Sequence, residues 1–394
     1  MTTTNLNYIE IPMPYGIEKV ILDGPLDAGS IPVEALLRLL SDETKKKIET
    51  RLKRQYIDAT TCDYPILPQF LAAIYMKLMK IKRITALYRR MTADDGALAE
   101  KLGFERRDDG KIVMPCYSNL ALFIKKRLDE NTMDELSAIV LVEINERLKL
   151  YGKDFGSEIA HDGVVIRSFD RDAVYNKHYD TTMYKGEIGA DINTLIPLYG
   201  TVTCGTDYDG NFAIPFVQKL DAIEKKARTG YFDGHYASLQ NFAVLNHIHK
   251  VKPIINVPIT QRRVAVTGGM RNINKQYQKL HNKPGFVVNA DVNTKLSLLL
   301  EYSKTKVVGY YYRNIHVKSF KKNMKDFGKR SLEETVNNSV KNGLVDVENG
   351  CNGAGIRNHD HHMKLCILSV QLVALIRLQN GITEDLTSVK NIAC

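Results

Sequence analysis

The chain has 394 residues, with 55 Lys and Arg against 45 Asp and Glu, a formal charge of +10 and a pI near 9.1. With 44% hydrophobic and 25% charged residues and only 12 Pro and 26 Gly, the composition excludes a disordered or fibrous chain, and the length predicts two or three domains. The six cysteines (Cys62, Cys116, Cys204, Cys351, Cys366, Cys394) are scattered without a C-x-x-C pair, which excludes a disulfide scaffold or zinc ribbon and implies a reducing compartment.

The N-terminal stretch MTTTNLNYIEIPMPYG has no basic region followed by an apolar run, so no secretory signal is expected. Residues 32–150 read as almost entirely helical: IPVEALLRLL, FLAAIYMKLMKIKRITALYRRM, GALAEKLGF, YSNLALFIKKRL and MDELSAIVLVEINERLKLYG repeat apolar positions at helical spacing. Thr92 or Asp94 is placed to cap one short helix, and the turn Pro115–Ser118 opens the next. Such helices suit a helix-turn-helix reader of DNA bases, and equally a helical bundle with no such role.

From about residue 157 the pattern changes to short strands in EIAHDGVVIRSF, MYKGEIGADIN and TLIPLYGTVTCG, with Asn193 and Thr194 as a hairpin turn between the last two. An amphipathic helix, FAIPFVQKLDAIEKKA, follows, then a helix opened by Asp233 over ASLQNFAVLNHIH, then the strand VKPIINVP. Antiparallel strands followed by alternating helices and strands predict a mixed α/β sheet. Residues 261–326 interrupt it with a basic segment, and helices near 331–345 and 361–380 finish the chain. The apolar segment 363–379 contains Lys364, Ser369, Gln371 and Arg377, which suits a buried core helix better than a membrane span. A soluble, cytoplasmic protein with no membrane partner is the expectation.

The positive charge is clustered. Lys45 to Arg54, Lys77 to Arg90 and Lys304 to Arg330 form three groups interleaved with Tyr56, Tyr88, Tyr310, Tyr311, Tyr312 and Phe320. Clustered Lys and Arg are the electrostatic footprint of phosphate-backbone binding, with a solvated surface as the simpler reading.

Three carboxylates stand out. Asp162 interrupts an apolar run, where an ionised carboxylate is costly unless it meets water or a cation. Asp233 precedes a helix, where capping is the structural reading. Glu334 lies on a helix beginning near Arg330 and alone would be a surface residue. Together, at the open end of a mixed sheet, they would form a hard oxygen site for Mg²⁺ or Mn²⁺. Two such ions about 3.5–4 Å apart activate a water or 3′-hydroxyl for in-line attack on phosphorus.

These residues resemble the DDE transposases of prokaryotic insertion sequences, in the superfamily whose signature is Tyr, two residues, Arg, three residues, Glu, six residues, Lys. FGKRSLEETVNNSVK supplies Arg330, Glu334 and Lys341 at those spacings, with Phe327 in place of Tyr. AHDGVVIRSFDRDAVYNKHY resembles the block of the first Asp, here Asp162. FDGHYASLQNFAVL resembles that of the second, here Asp233 with Tyr236 three residues on, and TVTCGTDYDG puts Asp209 in a supporting position. The adjacent Glu333 is set aside on spacing to Arg330 and Lys341, since neighbours on a helix point about 100° apart.

The resemblance covers most of residues 60–380. It implies an α/β chain with an RNase H-like mixed-sheet catalytic core holding an insertion, preceded by an all-helical DNA-binding region. The expected segments are 1–150 for that helical region, 155–260 for the first part of the core, 261–326 for the insertion and 327–394 for the second part. It further implies two Mg²⁺ or Mn²⁺ ions held by Asp162, Asp233 and Glu334, and Arg330, Lys341, Lys321 and Lys322 binding DNA, with Asp209, Tyr236 and Phe327 in support. The partners implied are the element's terminal inverted repeats and target DNA, with a homodimer in the synaptic complex near the nucleoid. A related nuclease without joining activity and an inactive DNA-binding derivative are the alternatives. Among the remaining candidates, His359, Asp360, His361 and His362 read as a polar turn or phosphate contact. His247 and His249 read as surface or core-edge residues of the helix ASLQNFAVLNHIH, and NGCNGAG at 349–355 as a loop.

Overall fold

The computed structural model describes residues 8–13, 16–21, 32–56, 64–223, 226–266, 270–282 and 302–388. Cys62 and Cys394 lie outside the described residues, and Cys116, Cys204, Cys351 and Cys366 are free thiols. The chain forms two units, Met1–Lys153 with Asn338–Cys394, and Asp154–Asn337. The segment 327–394 is therefore divided: it belongs with the sheet through Asn337 and with the N-terminal unit from Asn338.

In the first unit the helical periodicity becomes helices at Val33–Arg38, Asp42–Lys53, Ile66–Leu78, Ile84–Thr92, Ala97–Lys101, Tyr117–Leu122 and Glu130–Leu150. Ser41 and Asp129 start two of them, their side chains accepting from the backbone N–H groups of Thr44 and Thr132. This unit is not all helical, because strands β1 (Tyr8–Met13) and β2 (Gly16–Ile21) form an antiparallel ribbon. The alternation that specifies such a short ribbon is a weaker signal than helical periodicity sustained over whole helices.

The unit is organised around the helix Ile356–Gln379, against which Ile66–Leu78 and Glu130–Leu150 pack. This is the one described helix long and apolar enough to cross a membrane, and 94% of its most apolar window is buried inside the fold. Its polar residues find protein partners: Gln371 accepts from Ser137 at 2.8 Å, and Lys364 reaches Glu130 at 2.7 Å and Asp134 at 3.5 Å. Arg377 donates to the carbonyls of Ser388 and Glu384. Those partners make burial inside protein affordable for groups that would be costly in hydrocarbon.

The second unit is mixed α/β. Its strands are β3 (Glu158–Arg167), β4 (Val174–Asn176), β5 (Thr181–Asp191), β6 (Pro197–Cys204), β7 (Thr229–Phe232) and β8 (Lys252–Ile255). The sheet runs β5-β3-β7-β8, with β4 and β6 both pairing with β5. β3, β5 and β6 pair antiparallel, whereas β7 and β8 run parallel to β3. The β5–β6 connection contains the expected Asn193 and Thr194, and Asp191 ties it by accepting from the Thr194 N–H and hydroxyl and from the Gly156 N–H.

The helix Ala213–Ala222 seats Phe216 under Gly189, where an added Cβ would lie 2.4 Å from the ring. Within 261–326, the helices Met270–His281 and Tyr302–Lys318 stack through Tyr277 and Tyr311, with ring centroids 3.7 Å apart. Tyr302–Lys318 also packs on Leu239–Ala243 through Gly309, whose absent side chain allows the approach.

Leu372, completely buried in the central helix of the first unit, is expected to cost about 2–5 kcal/mol when cut to Ala. Leu150→Ala, at a side chain 79% exposed, is expected to stay within about 0.5 kcal/mol. Denaturant unfolding followed by circular dichroism measures both, and equal effects would refute the assignment of that helix as the core.

Candidate functional site: an acidic cluster at the end of two parallel strands

Side chains alternate across a strand, so Asp162 shares a face of β3 with Ala160. Ala160 lies in an apolar cluster with Ile192, Tyr231 and Ile254, and Phe327 packs against it. The parallel register pairs Ala160 with Tyr231; two residues further on it brings Asp162 level with Asp233, the residue after β7. Burial raises the Asp162 pKa; Arg330 opposes the rise and the charge of Asp233 adds to it. Arg330 Nη2 lies 2.9 Å from Asp162 Oδ2.

The glutamate beside Asp162 is Glu333, not the expected Glu334. Glu333 is fully buried, along with Val336 and Asn337 of the helix Ser331–Asn338, whereas Glu334 is exposed. Positions i, i+3 and i+4 form one helical face, so the inward stripe set by Val336 and Asn337 selects Glu333. Burial, followed by the charge of Asp162, raises its pKa well above the usual carboxylate range, with Arg330 opposing. Both its carboxylate oxygens are buried with no hydrogen-bond partner.

The spacing that favoured Glu334 ran to both Arg330 and Lys341; Arg330 is three residues from Glu333 and four from Glu334 and so suits either, and Lys341 lies beyond Asn338 on a wider π turn, Ser339–Gly343. A π turn holds more residues than an α turn, so a count across it misstates helical phase. Lys341 belongs to the other unit and pairs with Glu348 at 3.5 Å. Lys321 and Lys322 are exposed, and Phe327 sits under the aspartates as an apolar support.

Asp233 does cap a turn, its Oδ1 accepting from the His235 N–H at 2.8 Å. Its other oxygen lies 3.4 Å from His235 Nδ1, which is itself 3.7 Å from Asp209 Oδ2. One donor atom each from Asp209, Asp233 and His235 lies within 4.8 Å of the others, so the three can share a cation.

The opposite face of β3 carries a second ionisable group. His161 shares a 2.7 Å hydrogen bond with the hydroxyl of buried Tyr236 and lies 3.8 Å from Glu187. Lys185 lies 3.8 Å from Glu187 and forms an ion pair with Asp209. Burial pushes Glu187 up to about 8, Lys185 opposing, and pushes His161 down to about 3, Lys185 assisting. His161, Lys185, Glu187 and His235 were not singled out from sequence. The available signal was alternation: Lys185 and Glu187 are two apart in a strand and share a face.

No protein-family model, no curated protein and no solved structure matches the chain.

Because the folded pKa of Glu187 is raised, the fold keeps a proton that the unfolded chain has lost, and stability falls as pH rises from about 4.5 to about 8. His161 has the opposite sign, losing stability as pH falls from about 6.5 to about 3, so its slope fades as pH rises above about 6.5 while that of Glu187 persists to about 8. With chelator present, Glu187→Gln is therefore expected to flatten the decline in unfolding free energy between pH 6.5 and 8. An unchanged slope would identify another group as the proton holder.

Proposed function

We propose that the chain is a DDE-type transposase with an RNase H-like core, cutting and joining DNA with divalent cations held by Asp162, Asp233 and Glu333. The observation that carries this reading is the buried, unpartnered carboxylate of Glu333 beside Asp162, itself level with Asp233. Acids brought together with a single guanidinium suit a site completed by cations. The strand order also supports it: three consecutive antiparallel strands, then two parallel to the first.

Mg²⁺ or Mn²⁺ there would polarise the scissile phosphate and activate water or a 3′-hydroxyl. The chain's own groups hold and orient. Asp162 projects from the middle of β3 and Asp233 follows the end of β7, both fixed by the sheet, and Glu333 comes from a helix whose buried face includes Val336. Arg330, held at Asp162, is placed to exchange that carboxylate for a DNA phosphate, which its planar fork binds in two-point fashion. Asp209 and His235 position Asp233, and exposed Lys321 and Lys322 add backbone affinity. Phe327 supplies apolar support and no hydroxyl.

Asp162→Asn, Asp233→Asn and Glu333→Gln are each expected to lower Mg²⁺-dependent cleavage of the element's end DNA by more than about 100-fold with end binding retained. Glu334→Gln is expected to cleave normally. Cleavage lost in Glu334→Gln and kept in Glu333→Gln would reverse the assignment of the third acid. Cutting without joining to a target duplex would favour the nuclease alternative.

A further inference from the structure

A cavity of about 410 Å³ opens within the first unit, between the helix Ile66–Leu78, the start of Ile84–Thr92 and the loop before the helix Ile356–Gln379. That volume lies in the range of ligand clefts, about 300–1,000 Å³. Its wall includes Lys77, Lys82, Arg83 and Lys125, and no carboxylate. Lys82, Arg83 and Lys125 are exposed and make no ion pair among the described residues.

Lys77 is only 8% exposed. Its Nζ lies 2.6 Å from Nδ1 of His362, and Nε2 of that ring lies 2.8 Å from the Asp346 carbonyl oxygen. A carbonyl only accepts, so Nε2 carries the ring proton and Nδ1 offers a lone pair to the Lys77 ammonium. The ring thus orients the ammonium without neutralising it. Asn352, Asn358, Thr85 and Tyr117 add amide and hydroxyl groups to the wall, and Nε2 of His361, which also lines it, is buried without a hydrogen-bond partner. A buried ammonium without an anionic partner is costly, so burial lowers the Lys77 pKa; an anion in the cavity would offset that cost and hold the side chain charged.

We propose that this cavity binds a nucleotide through its phosphate, with Arg83 gripping two phosphate oxygens and Lys77, Lys82 and Lys125 supplying point charges. The nucleotide is a free one, distinct from the DNA that the resemblance assigns to this helical region, and the site stands independently of the acidic cluster in the other unit.

Cys351 lines the cavity and reports its occupancy. The experiment measures alkylation of Cys351 by peptide mass spectrometry on the full chain, with thymidine 5′-monophosphate, thymidine or a short duplex DNA as probe. The expected result is protection by the nucleotide, none by thymidine, and an affinity at least about 10-fold weaker in Lys82→Ala/Arg83→Ala, from the loss of charged hydrogen bonds. Both side chains are exposed, and circular dichroism confirms that the variant folds. Protection by duplex alone would mean that the cavity serves only the DNA binding that the resemblance implies, and overturns the proposal. Equal protection by thymidine, protection unchanged in the variant, or protection by no probe overturns the proposal.

Discussion

The structure of the second unit turns on holding like charges together. Half-buried Asp162 pairs with Arg330, fully buried Glu333 lies close by, and the charge of Asp162 raises the proton affinity of Glu333. Nothing in that arrangement favours folding by itself, since buried carboxylates repel and lose hydration. The compensation is apolar and lies directly beneath: Ala160, Ile192, Tyr231 and Ile254 close against one another with Phe327 on top. The same register that buries Ala160 against Tyr231 sets Asp162 beside Asp233. A one-residue slip would turn every side chain of the strand to the other face. The position of the acids is thus specified by the hydrophobic cluster rather than by their own interactions.

The far face of β3 is built on the same principle with different partners. Glu187 and His161 are fully buried, and burial moves each toward its neutral form. Lys185 joins this face to Asp209, Asp209 faces His235, and His235 faces Asp233. The ionisable groups on the two faces of the strand therefore connect through the turn after β7. The charge of Asp233 is felt directly at Asp162.

The elements most legible in the sequence were those with sustained periodicity. The helices of the first unit, the antiparallel β3–β5–β6 strands and the burial of 363–379 follow from spacing and from where Gly, Pro and Asn interrupt it. Besides the β1–β2 ribbon and the ionisable groups around Lys185, three features escaped for a physical reason. Glu334 was preferred on its spacing to Arg330 and Lys341, but Arg330 suits Glu333 and Glu334 alike and Lys341 lies across a π turn, where the chain no longer advances at α-helical pitch; the buried Val336 points to Glu333. His359 to His362 were read as a polar turn or phosphate contact; the turn does not form, since they begin the long helix, with His359 and His362 buried and Asp360 near Lys364. The return of Asn338–Cys394 to the first unit is a long-range fact, carried by pairs such as Gln379 with Ser41 and Thr44, and no local pattern encodes it.

The same distinction applies to the positive charge. The cluster from Lys45 to Arg54 is largely spent within the fold, with Lys45 on Asp42, Lys47 on Glu43 and Glu143, Arg51 on Glu135 and Lys53 on Glu49. Paired cations contribute little net field, so a run of basic residues there overstates the attraction for a polyanion. The cluster from Lys77 to Arg90 differs in kind. Lys80 reaches only a backbone carbonyl and Lys77 only a histidine ring, while Lys82 and Arg83 have no acidic partner. Linear sequence counts both clusters alike; what separates them is whether Asp and Glu from elsewhere in the fold arrive to neutralise them. The charge available for phosphate in this unit therefore lies around the cavity beside Lys77, where the fold places cations and leaves out the acids.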